Sequence, residues 1–293
     1  MPDQVVTVAK GRWLVPRVAD PYGLDMPAAF YQPVSPTSAD RIDRFASTSA
    51  TVGPWDPRLA HGSPPATLLL HAIERAHPRA DARVGRIAFD FFGPVPVAEL
   101  SVSTEIVRPG ARIELARGRL SAGGKVAMEA SAWRIATQKA RVEPVLDPRS
   151  PPPLPGPQEK ARFVELPFFG YGDALEWRFV DGGFQTLGPA TAYARPLLPL
   201  LEGEPLSALE RLMLMVDSAN GISAALDPLK FMFVPVELTV NVRRAPETEW
   251  VGMHAETLIE DDGIGQTRAE LFDEKGYLGM ATQTLFVAAR GGV

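Results

Sequence analysis

The sequence predicts an α+β chain of two consecutive, similarly built units, each an antiparallel sheet wrapped around one central helix. Three observations lead there. A proline-rich stretch lies near the midpoint, the order helix-then-strand-meander occurs on both sides of it, and the second helix is apolar around most of its circumference. At 293 residues the chain is long enough for two domains of ordinary size.

The connector comes first in the argument. Between Val142 and Pro157 stand seven prolines, including Pro151-Pro152-Pro153. Proline lacks the backbone donor and fixes φ, so this stretch joins neither a helix nor a central strand. It divides the chain into expected units of residues 1–140 and 161–293, joined by a linker at 141–160.

In the first unit, strand regions at Val5 to Val15 and Ala28 to Val34 precede a helix that opens at Ser63, read as the cap, with Pro64 in the first helical position. Pro78 stops it. Runs with the period-2 alternation of half-buried strands follow at Glu99 to Val107 and Arg112 to Leu120, then Val126 to Ile135 after a glycine turn.

The second unit repeats this order. Glu176 to Val180 and Pro189 to Pro196 are its early strands. Ser207-Ala208-Leu209-Glu210 forms a capping box, and the helix is expected to run on to about Leu226, where Asp227-Pro228 ends it. Its length would be about 30 Å. Strands at Glu249 to Ile259, Gln266 to Phe272 and Tyr277 to Val287 complete the meander. Glu99-Leu100 matches Glu249-Trp250 at a separation of 150 residues, and Val126-Ala127-Met128 matches Leu278-Gly279-Met280 at 152, so duplication is the expected origin of the two halves. At that second offset Ser131 stands where the repeat places Gln283.

Composition narrows the function. Net charge is −5 without a concentrated basic block, which disfavours a nucleic-acid partner. The absence of cysteine excludes disulfides, thiolate nucleophiles and cysteine-ligated metal. Four scattered histidines show no ligand spacing, so neither a metal nor another cofactor is expected. No signal-like start and no apolar run of membrane-spanning length occur, and the expected location is the cytoplasm. Exposed sheet edges make a homo-oligomer the expected assembly. There is no Gly-x-Ser-x-Gly elbow, no phosphate-binding loop and no dinucleotide fingerprint.

Asp217 is the leading chemical candidate. It interrupts Leu212-Met213-Leu214-Met215-Val216, where an unpaired carboxylate is costly to bury. Such a carboxyl would have a raised pKa and suit general-base work; the alternative is a structural aspartate bonded to strand backbone. Asn220 shares its helical face, with Gly221 beside it. Gln283, inside the last strand, either orients a water or carbonyl or is an outward polar residue. Thr239 is a strand threonine with weaker claims. His61-Gly62-Ser63-Pro64 precedes the first helix, where backbone donors polarise a carbonyl or simply form a turn.

These residues resemble a known family. Trp55-Asp56-Pro57 with His61-Gly62-Ser63-Pro64-Pro65-Ala66, then Phe89-Asp90-Phe91-Phe92-Gly93-Pro94-Val95-Pro96, Met215-Val216-Asp217-Ser218-Ala219-Asn220-Gly221 and Gly276-Tyr277-Leu278-Gly279-Met280-Ala281-Thr282-Gln283 are similar to the ordered motifs of acyl-CoA thioesterase II-like proteins. The resemblance implies a tandem double hotdog fold and hydrolysis of acyl-CoA to free fatty acid and coenzyme A, within fatty acid metabolism. It implies Asp217 as base acting directly on water and Gln283 helping to orient that water; His61, Gly62 and Asn220 are the residues expected against the substrate. The family's hydroxyl residue falls near Pro235, which has none, and Thr239 is the expected substitute. A silent acyl-thioester binder is the alternative. An enoyl-thioester hydratase is a third reading, disfavoured because the histidine of that pattern is absent.

Overall fold

The computed structural model describes residues 26–35, 42–137, 143–145, 147–160, 163 and 169–290. The expected strand at Val5 to Val15 lies outside the described residues.

The first half contains β1 (Tyr31–Ser35), β2 (Ile42–Ser47), α1 (Ser63–Ala76), β3 (Ala82–Phe91), β4 (Glu99–Arg108), β5 (Ile113–Ala122) and β6 (Lys125–Ala136). The second contains a single turn α2 (Gly170–Asp173), then β7 (Leu175–Asp181), β8 (Ala190–Pro196), α3 (Ala208–Val216) and α4 (Ala219–Ile222). It ends with β9 (Phe231–Val242), β10 (Val251–Ile259), β11 (Ile264–Asp273) and β12 (Gly276–Ala289). Among the described residues the twelve strands join one sheet in the order β1-β2-β4-β5-β6-β3-β9-β12-β11-β10-β8-β7, with every pair antiparallel. This is the tandem hotdog architecture the sequence predicts.

The halves meet where β3 pairs with β9, centred on Ala88 opposite Thr239. Alternation explains the strands. In β11, Gly265, Thr267 and Ala269 are buried while Ile264, Gln266 and Arg268 face water, as a sheet with one solvated face requires. The inner face closes over α1 and α3, whose Leu68, Leu69, Leu70, Leu212, Met213 and Val216 are essentially inaccessible. One continuous core spans both halves. The β2 strand was not anticipated, because Asp43 and Arg44 break its apolar pattern.

Three expectations are corrected. Gly62, not Ser63, caps α1, and Ser63 is already helical. The second helix is not continuous to Leu226: α3 stops at Val216, and after Asp217 and Ser218 a four-residue α4 ends at Ile222. The repeat offset shifts by one. A two-fold through the Ala88–Thr239 pair relates Ile87 to Leu238, and their partners on the next strands are Ala132 and Gln283. Ala132, not Ser131, therefore occupies the place of Gln283. Ser131 points outward, where Arg86 reaches its hydroxyl.

The described part of the linker docks against the second half. Gln158 donates to the Phe179 carbonyl and accepts from its amide, both at 2.8 Å, covering part of edge strand β7. Tyr193 and Arg178 donate to the carbonyls of Pro152 and Pro155.

β12 runs close against β9 at Gly279, where an added Cβ would sit 1.9 Å from the Asn241 carbonyl oxygen and φ is 159°. Gly279→Ala is expected to destabilise the fold by about 1–3 kcal/mol or more, read as a lowered urea midpoint with unchanged m-value.

Candidate active site

Asp217 closes α3 and is 4% exposed, beside a cavity of about 470 Å³. The helix breaks here because another side chain takes over its hydrogen bonds. Gln283 on β12 donates through Nε2 to Asp217 Oδ1 at 2.9 Å and to the Asp217 carbonyl at 3.2 Å. Its Oε1 accepts the Asn220 amide at 3.1 Å. A buried carboxamide thus stands in for the helical partners of two backbone groups, and the chain tightens into a three-residue turn with Ser218 N donating to the Met215 carbonyl.

Burial pushes the Asp217 carboxyl up to about 7, against the opposing pull of Gln283 and of the Gly62 amide, which both donate to it. Gly62 is required by space rather than by conformation. Its φ is −68°, but a Cβ would lie 2.4 Å from Asp217 Oδ2.

His61 Nδ1 stands 3.6 Å from Asp217 Oδ2. The pair is not an ion bridge. Burial lowers the imidazole to about 3, and Nδ1 accepts the Ser63 amide at 3.1 Å. The ring is therefore neutral with its proton on Nε2. It stacks on Tyr171, centroids 3.8 Å apart and planes at 4°.

The expectation of free backbone donors at the start of α1 is corrected by an account of each amide. His61 N–H goes to the Thr51 carbonyl, Gly62 N–H to Asp217 and Ser63 N–H to His61. Pro64 and Pro65 have no N–H, and Ala66 N–H closes the first helical turn onto the Gly62 carbonyl. No donor remains there for a ligand.

Asn220 lines the cavity and spends one Nδ2 hydrogen on the Phe233 carbonyl at 3.1 Å. Gln283 does not line it; it stands behind Asp217. Thr239 is not part of the site. It pairs with Thr282, one residue from the inward Leu238–Gln283 pair, so it faces outward and donates to Glu237 at 3.0 Å. Pro235, where the resemblance implies a hydroxyl residue, does line the cavity.

Two residues were missed from sequence. Tyr171 donates to the Leu214 carbonyl at 2.7 Å, so Ser218 Oγ, 2.7 Å from the same phenol oxygen, is the donor of that pair. Ser218 keeps its lone pairs and lines the cavity beside Asp217. The aromatic run from Phe163 to Tyr171 was the available signal. Among the described residues no cluster of side chains suits a metal ion.

The raised carboxyl has a consequence for stability. The unfolded Asp217 ionises near 3.8 and the folded one near 7, so between those values the folded state keeps a proton that the unfolded state has lost. Its contribution to stability is fully present below about pH 4 and is lost as pH rises through 7. Asp217→Asn lacks that proton. The melting temperature of the wild type relative to the variant is expected to fall between pH 5 and pH 8, by differential scanning calorimetry, and to level off above.

Residues 51–135 match the acyl-CoA thioesterase N-terminal domain family and residues 147–287 the acyl-CoA thioesterase C-terminal domain family. No curated protein sequence matches the chain significantly. Among solved structures it is similar to a conserved hot dog protein of unknown function from Alicyclobacillus acidocaldarius (17% identity, TM-score 0.67, covering 86% of this chain and 95% of that one). It is also similar to the acyl-CoA thioesterase II TesB2 of Mycobacterium marinum (14%, 0.62, 86% and 94%). A third is a tesB protein of Mycobacterium avium subsp. paratuberculosis (13%, 0.59, 84% and 93%). Those structural likenesses carry the fold; the two domain matches, which between them span most of the chain, place it in the acyl-CoA thioesterase family.

Proposed function

We propose that the protein hydrolyses acyl-CoA thioesters by direct attack of water, with Asp217 as general base. The observation that carries this reading is a carboxyl buried at the wall of an apolar cavity and poised near neutral pH. The balance of the step is simple. Asp217 takes a proton from water as the water oxygen bonds to the thioester carbon. The tetrahedral intermediate expels the coenzyme A thiolate, which receives that proton back.

Each polar group on the cavity wall has a role in this reading. Ser218 Oγ accepts from the water and orients it. The carbonyl oxygen, as it gains charge, meets the Nε2–H of neutral His61 and the second Nδ2 hydrogen of Asn220. Gln283 is a positioning residue, because its donors and its acceptor are already engaged.

A second reading has one observation in its favour. Pro235 supplies no hydroxyl and Thr239 faces away, which suits a protein that binds acyl thioesters without turnover.

Thiol release across a panel of acyl-CoAs separates the two. Activity of the wild type should rise with pH through an apparent pKa of about 7 and be lost below it, since only the carboxylate accepts a proton. Asp217→Asn should lower kcat by about 10²- to 10⁴-fold; unchanged kcat would remove Asp217 from the mechanism, and binding without release for every acyl group would favour the second reading.

Gly62→Ala tests the geometry with every ionisable group kept. The added methyl displaces the carboxylate, and kcat should fall by about 10²-fold with the far-ultraviolet circular dichroism spectrum unchanged.

A further inference from the structure

We infer that the acyl group accepted here carries an aromatic ring at or within a few carbons of the thioester, rather than being a long straight chain. This rests on the thioesterase reading of the same cavity. Trp55, Phe91, Phe163, Phe169, Phe184 and Phe233 all line it. All of these except Phe91 form a continuous series of ring contacts that begins beside the proposed base. His61, next to Asp217, is 6.2 Å from Phe169, and Phe169 is 6.0 Å from Phe163. Phe163 meets Phe184 at 5.8 Å and Trp55 at 6.1 Å, both edge-on, and Trp55 meets Phe233 edge-on at 5.5 Å.

A thioester carbon placed at Asp217 therefore has ring faces and edges around its first few substituent carbons. Edge-to-face geometry at 4.5–7 Å is what an added aryl ring satisfies and an aliphatic chain does not. The rings are also held in place before any ligand arrives. Arg290 lies 4.9 Å from the Trp55 ring centroid, and Phe184 is braced by Trp177 and Phe179.

The space beneath α3 is filled. No residue of α3 before Asp217 lines the cavity. Leu212, Met213, Leu214, Met215 and Val216 are 0–1% exposed, packed against the sheet, so no channel runs on beneath the helix.

The test compares phenylacetyl-CoA with hexanoyl-CoA, cyclohexylacetyl-CoA and palmitoyl-CoA by thiol release. The expected result is a kcat/KM for phenylacetyl-CoA at least about tenfold above hexanoyl-CoA, the factor that one or two ring contacts supply, with cyclohexylacetyl-CoA below the aryl substrate. Trp55→Leu and, separately, Phe233→Leu should shrink that ratio. Hydrolysis of hexanoyl- or palmitoyl-CoA as efficiently as phenylacetyl-CoA would overturn the aryl assignment and leave the thioesterase reading standing. Absence of hydrolysis with every substrate would overturn the thioesterase reading instead. Calorimetric binding of the non-hydrolysable thioethers 2-phenylethyl-CoA and hexyl-CoA then decides the ring question: tighter phenylethyl binding supports it, and equal or weaker binding refutes it.

Discussion

The carboxamide of Gln283 reaches from the last strand into the gap between α3 and α4, and the arrangement of the site follows from that contact. An uninterrupted helix would pair the Asp217 carbonyl and the Asn220 amide internally. Here both are paired with Gln283, which also donates to the Asp217 carboxylate. Leaving those buried groups without partners would cost about 1–3 kcal/mol each. The helix break, the placement of Asp217 at the cavity wall and the docking of β12 over the helix are therefore one cooperative unit.

The carboxyl is held between opposing effects. Burial among Met215, Val216 and the aromatic wall favours the neutral acid, while the Gly62 amide and Gln283 favour the anion. His61 adds no charge, since its Nδ1 is occupied by Ser63 and its ring is buried against Tyr171. Such a balance leaves the carboxyl able to change protonation state near neutrality. Two consecutive prolines ensure that no spare helix amide competes for the carboxylate.

The two halves share a sheet layout and differ where chemistry is concerned. Ala132 occupies in the first half the place that Gln283 takes in the second. The α1 helix, without a carboxylate facing a glutamine, runs unbroken for 14 residues. The first half instead contributes the His61–Gly62 turn and Trp55 to the cavity of the second. Its role is to complete a site that neither half builds alone. Ser131, one position away, lies on the other face, because a one-residue step in a strand exchanges inner and outer faces.

The sequence by itself determined the antiparallel meanders, the proline-rich division of the chain and the burial of Asp217. These follow from short-range rules: strand alternation, cap chemistry, the missing proline donor and the cost of a carboxylate among leucines and methionines. Helical spacing placed Asn220 near that aspartate, and resemblance placed Gln283 there. Tertiary structure alone decided that Thr239 faces outward, that the helix ends at Val216 rather than Leu226, and that Tyr171 and Ser218 join the site. Each of those depends on which sheet face, which register and which distant side chain meets the helix. That information lies in pairings between residues some tens to more than a hundred positions apart, which no local pattern carries.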